Sequence, residues 1–129
     1  MNAIIKFREQ FRPFAPAILD ECGPDWFEDY QVSPYMERTL VWRERVRDLV
    51  PGVVHVDGTG RLQSVRREWN ERLYDVLGAF HARTHVPVLL NTSFNVIGRP
   101  IVHTLEEALG LFCTTAMDAL VVADYVIDK

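Results

Sequence analysis

Five apolar residues, Val86-Pro87-Val88-Leu89-Leu90, run straight into the polar pentad Asn91-Thr92-Ser93-Phe94-Asn95. A short apolar run closed by turn-forming residues is the pattern of a core strand that ends in a loop. In open α/β sheets, ligands gather where strands end. A Ser hydroxyl and two Asn amides offer donors and acceptors together, which suits a polar or anionic small molecule. The same residues also close turns through their own side chains, so local chemistry leaves both readings open.

The rest of the chain alternates strands and helices. Residues 14–19 read as a strand, followed by a break at Gly23-Pro24. Trp26 and Phe27 are expected to pack against the core. Residues 39–46, 53–56 and 62–65 read as further strands, with Asp57-Gly58 as a hairpin-type turn before the last. From Asn70 to about Arg83, Leu73, Val76, Leu77 and Phe80 recur at helical spacing, with Asn70 as N-cap. A second helix starts at Thr104, where Thr104-x-x-Glu107 is a capping-box pattern and Leu105, Ala108, Leu109 and Phe112 form the stripe. Residues 119–122 and 125–127 read as closing strands. Helices alternating with strands predict an α/β fold with a mixed sheet and helices packed on it.

A length of 129 residues predicts a single domain over residues 1–129. No apolar run approaches the ~20 residues needed to cross a bilayer, so no membrane association is expected. The N-terminus lacks a secretory pattern, and a cytoplasmic location is expected. Cys22 and Cys113 belong to no metal-ligand spacing and read as reduced, buried thiols. A net charge of −4 weighs against broad nucleic-acid binding, which rests on a basic face. His55 and Asp57 lie two apart, and His81 and His85 four apart, but neither pair makes a metal site. His103, before the Thr104 cap, reads as structural.

The opening stretch interleaves Lys6, Arg8 and Arg12 with Phe7, Phe11 and Phe14. Were it extended, Lys6 and Arg8 would share one face, with Phe7 on the other. Arg presents a fork for carboxylate or phosphate, and Lys a compact point charge. A basic strand edge that resists aggregation has the same appearance.

Lys6-x-Arg8 followed far downstream by Ser93-x-Asn95 resembles the signature of YrdC-like domains. KFREQFRPFAPAIL, HVDGTGRLQSV and PVLLNTSFNVIGRPIV are similar, in that order, to the C-terminal domain of the O-carbamoyltransferases of nodulation-factor and antibiotic biosynthesis. The resemblance runs from about Lys6 to Lys129. It implies a YrdC-like mixed sheet and a site where carbamoyl phosphate is processed and its carbamate joined to AMP from ATP. ATP with magnesium is then a substrate, and the domain itself binds no metal. Carbamoyl adenylate would pass to a hydroxyl acceptor in a larger partner domain.

In that picture Lys6 and Arg8 neutralise phosphate charge, while Ser93 and Asn95 bond carbamate or phosphate oxygens. Arg61 is implied as a further phosphate ligand. Arg12 is either another or the partner of an acidic neighbour, and Asn91 and Thr92 shape the loop and touch ligand. None of Lys6, Arg8, Ser93 and Asn95 is an obvious proton shuttle. The sequence departs from the family's pattern in three ways. The large N-terminal domain and a Gly-Pro-Arg-rich segment upstream of Lys6 are missing, Arg99 stands where an acidic residue is common, and Gly60 and Leu105 replace Ala and Pro.

Three functions stay open. One is a carbamoyltransferase module that forms or holds carbamoyl adenylate with a partner chain. Another is a non-catalytic anion-binding or docking module, or a relic of a split gene. The third, an RNA-binding YrdC-like role, is disfavoured by the acidic balance. A surface that once faced the missing domain predicts an exposed apolar patch and a homodimer or heteromer.

Overall fold

The computed structural model describes the chain except Met1, Arg8, Gln10 and Phe11, and gives Asn2 and Ile4 by backbone alone. The chain divides into two compact units, residues 13–92 and residues 1–12 with 93–129, each considered by itself.

The unit of residues 13–92 is built on a four-stranded mixed sheet. Its strands are β1 (Ala15–Leu19), β2 (Arg38–Val41), β3 (Thr59–Val65) and β4 (Val88–Asn91), in the order β2-β3-β1-β4. β1 runs parallel to β3 and antiparallel to β4, while β2 and β3 are antiparallel. All five residues of β1 are buried, as expected of a strand covered on both faces. Side-chain alternation divides them. Ile18 joins Phe27, Trp42, Leu62 and Val88 in one cluster, and Ala17 and Leu19 join Val65 and Leu77 in another.

Two short helices, α1 (Gly23–Trp26) and α2 (Glu44–Arg47), flank the aromatic part of the core. The Trp42 ring lies 4.0 Å from Phe27 and meets Trp26 edge-on at 6.3 Å. Gly60 makes this possible, because a Cβ there would lie 2.4 Å from the Trp42 ring nitrogen. An Ala at this position is therefore not an innocent exchange. A third helix, α3 (Glu71–Thr84), starts where expected, with the Asn70 side chain accepting from the Leu73 N–H. It ends on His85, whose φ of 62° is the left-handed conformation of a helix C-cap.

Two of the expected strands differ in the structure. Residues 53–56 form no strand. A 3₁₀ turn at Pro51–Val53 leads into a tight turn, in which Gly58 N–H bonds the His55 carbonyl and Gly58 has a φ of 78°. The strand expected over 39–46 covers only Arg38–Val41 and gives way to α2. On α3 the stripe is only partly buried: Leu77 is fully covered, but Val76 and Phe80 are exposed. Periodicity defines a face, and burial needs something opposite it.

The other unit contains a single π-helical turn, Asn2–Lys6, the loop 93–102, α4 (Leu105–Thr114) and an antiparallel ribbon of β5 (Ala119–Val122) and β6 (Tyr125–Asp128). The Thr104 capping box is present with both of its bonds. Ala108, Phe112 and Leu120 form the core, joined by the half-buried Phe94, Val102 and Met117. The opposite face of the ribbon carries Val121 and Val126, paired in register and each 68% exposed. Lys6 belongs to a helical turn, not to an extended segment, so alternation does not set its direction. Cys22 is half-buried, whereas Cys113 is exposed rather than buried, because it sits one position round from Phe112 on α4. No helix among the described residues is long and apolar enough to cross a membrane.

Candidate functional site

Asn95 follows directly on the polar loop after β4 and holds its shape through both ends of its amide. Its Nδ2 donates to the Arg99 carbonyl at 2.9 Å, and its Oδ1 accepts from the Ser93 hydroxyl at 2.7 Å. The backbone closes over the same span, with Val102 N–H bonded to the Phe94 carbonyl. Gly98, with a φ of 72°, allows the turn that brings Arg99 N–H onto the Val96 carbonyl.

Lys6 completes the constellation. It is 4% exposed, and its Nζ reaches Ser93 O at 2.6 Å, Asn95 O at 2.8 Å and Asn95 Oδ1 at 2.6 Å. A fourth contact, to Ser93 Oγ, is longer at 3.4 Å. An ammonium has three hydrogens, enough to serve the three short contacts. These acceptors are neutral oxygens, and they orient the ammonium. Ile97 N–H also bonds the Lys6 carbonyl, which ties the helical turn to the loop at a second point. Lys6, Ser93 and Asn95 are therefore brought together.

The remaining residues named from sequence fall elsewhere. Arg8 lies outside the described residues. Arg12 pairs with Glu9 at 2.9 Å, the acidic neighbour considered as its alternative role. Arg61, Asn91 and Thr92 belong to the other unit. Arg61 is exposed on β3, opposite Thr39 of β2. Asn91 ends β4 and donates from Nδ2 to Gln63 Oε1 at 2.6 Å, while Gln63 bonds the Pro34 carbonyl. Thr92 is half-buried.

Sequence reasoning missed a polar network in the unit of residues 13–92. The Tyr30 hydroxyl donates to Asp20 Oδ1 at 2.6 Å and lies 2.7 Å from Ser64 Oγ, which accepts from Ser33 N–H. Arg66 Nε closes it on Asp20 Oδ2 at 2.6 Å. Burial, reinforced by the bond to Asp20, pushes the Tyr30 phenol well above its ordinary range. Ser33 and Ser64 are fully buried, and although Ser33 also bonds Glu37 and Arg38 nearby, the bonds that join the two serines to each other, to Tyr30 and to Leu62 span 29 to 34 positions.

His55 is held in a turn network, its Nδ1 3.0 Å from Thr59 Oγ1, which donates to Asp57 Oδ1. The hydrogen bonds from Thr59 keep Asp57 below its usual carboxylate range. Among the described residues no group of three or more His, Cys, Asp or Glu side chains is placed to hold a metal ion.

The family model for the carbamoyltransferase C-terminus matches residues 1–129. The chain belongs to that family. It is 47% identical over 132 residues to nodulation protein NolNO of Sinorhizobium fredii, covering all of this chain and 19% of that protein. It is 42% identical over 132 residues to nodulation protein NolO of Bradyrhizobium diazoefficiens, covering all of this chain and 24% of that protein. An uncharacterized protein of Methanocaldococcus jannaschii is 35% identical over 122 residues, 95% of this chain and 24% of its own length. The chain thus spans 19% to 24% of the length of these curated relatives. A carbamoyltransferase-related role follows from membership of the family.

Proposed function

We propose that this chain binds carbamoyl phosphate and ATP and forms or holds carbamoyl adenylate for transfer to a hydroxyl acceptor carried by a partner domain. The observation that supports this most is the convergence of Lys6, Ser93 and Asn95 in one bonded cluster, although 87 residues separate the first two. A cation, a hydroxyl and an amide at one loop match the needs of an acyl phosphate, whose charge must be neutralised and whose oxygens must be oriented. Phosphoryl transfer asks a protein mainly for positioning and electrostatic stabilisation.

In this scheme one Lys6 hydrogen leaves its carbonyl acceptor for a ligand oxygen, and the Ser93 hydroxyl turns from Asn95 to the ligand. Water cleaves carbamoyl phosphate to carbamate and inorganic phosphate, and a carbamate oxygen then attacks the α-phosphorus of ATP as pyrophosphate leaves. Magnesium arrives with ATP as part of the substrate. The hydroxyl acceptor binds to the remaining three-quarters or more of a relative-like protein, supplied in cis or by another chain. The exposed Val121–Val126 face of the ribbon suits such a contact.

Calorimetric titration of the chain with carbamoyl phosphate, and separately with magnesium–ATP, tests this. Saturable heat that Ser93→Ala removes is expected. A folded chain that gives no heat with either ligand overturns the proposal and leaves a docking module.

A further inference from the structure

Lys6 is 4% exposed, and its ammonium already lies on Ser93 O, Asn95 O and Asn95 Oδ1. An anion arriving from solvent therefore reaches Lys6 Nζ only after something moves. Either the loop 93–102 or the turn Asn2–Lys6 must give way.

The loop is braced by bonds of its own. Asn95 Nδ2 holds the Arg99 carbonyl at 2.9 Å, and Val102 N–H bonds the Phe94 carbonyl at 3.0 Å. Arg99 N–H bonds the Val96 carbonyl at 3.2 Å. None of these bonds involves residues 2–7.

The turn is held differently. Phe7, which follows it directly, has a φ of 50°, in the left-handed region that a side-chain-bearing residue enters at a cost. Its side chain is 52% exposed, so burial of the ring is a poor counterweight. Such a conformation persists where surrounding contacts over-determine it. The contacts at hand are those of Lys6. Its ammonium bonds Ser93 and Asn95, and its carbonyl accepts from Ile97 N–H at 3.1 Å. The bonds that bury the cation thus also hold a strained backbone beside it.

We propose that Asn2–Lys6 is a strap, hinged at Phe7, that closes over the Lys6 cluster and swings away to admit an anion. On opening, Phe7 relaxes to ordinary backbone and the Ile97–Lys6 bond breaks. Lys6 Nζ then exchanges the oxygens of the loop for those of the ligand. Strain at Phe7 offsets part of the cost of breaking these bonds, which brings the open state within reach. The strap rests on the function proposed above in one respect only, that the Lys6 cluster binds an anion.

The test is amide hydrogen exchange of the 15N-labelled full chain, followed by NMR. Ile97 N–H reports the strap, and Val102 N–H reports the loop. Phe7→Gly accepts a positive φ without strain and should slow Ile97 exchange about threefold. Phe7→Pro cannot adopt that φ, keeps the strap open and should speed Ile97 exchange by about tenfold. Val102 exchange should stay the same in both. Should Phe7→Pro unfold the unit, Val102 exchange shows it, and Phe7→Gly decides alone. Saturating carbamoyl phosphate should speed exchange at Ile97 of the parent and not at Val102. Phe7→Gly should bind it about threefold more weakly, because a more stable closed state lowers the competent fraction.

Ile97 exchange that ignores the substitutions, or that Val102 follows, would overturn the strap. Carbamoyl phosphate that binds while Ile97 stays protected would also overturn it and leave the proposed function standing. Variants that behave as expected beside a chain that does not bind carbamoyl phosphate would keep the strap and remove the proposed function.

Discussion

Lys6 Nζ lies 2.6 Å from the carbonyl oxygen of Ser93, so the first turn of the chain is bonded to a loop 87 positions later. Lys6 is buried, and it makes three short contacts to Ser93 and Asn95. It is a structural tie before it is a ligand contact.

Lys6→Met removes that tie and leaves carbonyl oxygens without a donor. A loss of about 2 kcal/mol is expected, because bonds to a charged group are stronger than neutral ones and orphaned acceptors add a penalty. Lys6→Arg should not restore the loss, since a planar fork cannot direct three hydrogens as an ammonium does. Urea unfolding of the two variants beside the parent checks both statements. Equal midpoints for all three would show that the contacts contribute nothing.

Gly60→Ala should destabilise the chain by roughly 1–3 kcal/mol, the usual penalty for overpacking. The added methyl meets the Trp42 ring, which is fully buried among Phe27, Trp26 and β3 and has nowhere to move. Trp42 is also the reporter: its fluorescence maximum should shift if the ring is displaced. Unchanged stability with unchanged fluorescence would contradict the close approach.

His85→Gly is expected to stabilise the chain by about 0.5–1 kcal/mol. The φ of 62° at this C-cap strains a side-chain-bearing residue and not a glycine. Thermal unfolding measures it, and a lower melting temperature would argue against the left-handed cap.

Tyr30 makes stability depend on pH in the alkaline range. Its phenol pKa is raised on folding by burial and by the bond to Asp20. The neutral phenol is thus favoured in the folded state. This contribution is fully present below the unfolded value of about 10 and is lost as pH rises from there towards the folded value. Tyr30→Phe should cost about 1 kcal/mol at neutral pH and make the decline above pH 10 shallower than in the parent. Parallel stability curves for the two proteins would show that Tyr30 does not titrate with unfolding.

Much of the architecture was legible before any coordinates. The strand at 14–19, the Asn70 and Thr104 caps and both closing strands stand where spacing and capping chemistry put them. Each depends on neighbours within four positions, the range over which backbone and side chain communicate locally. Failures occurred where a short segment fitted two patterns. Residues 53–56 are apolar enough for a strand, but Pro51 and Gly58 bend the chain on both sides.

Family membership came from motifs, because Lys6-x-Arg8 and Ser93-x-Asn95 are readable as text whatever separates them. The sequence by itself therefore determined the elements, the family and the residue types of the candidate site. Only the tertiary structure decided what those residues do to one another. Lys6 is held by neutral oxygens of Ser93 and Asn95, and Arg12 pairs with Glu9. The Tyr30–Ser64–Ser33 network belongs to the same class. These contacts are set by how distant segments pack, and a polar side chain carries no local mark of a partner that folding alone brings within 3 Å.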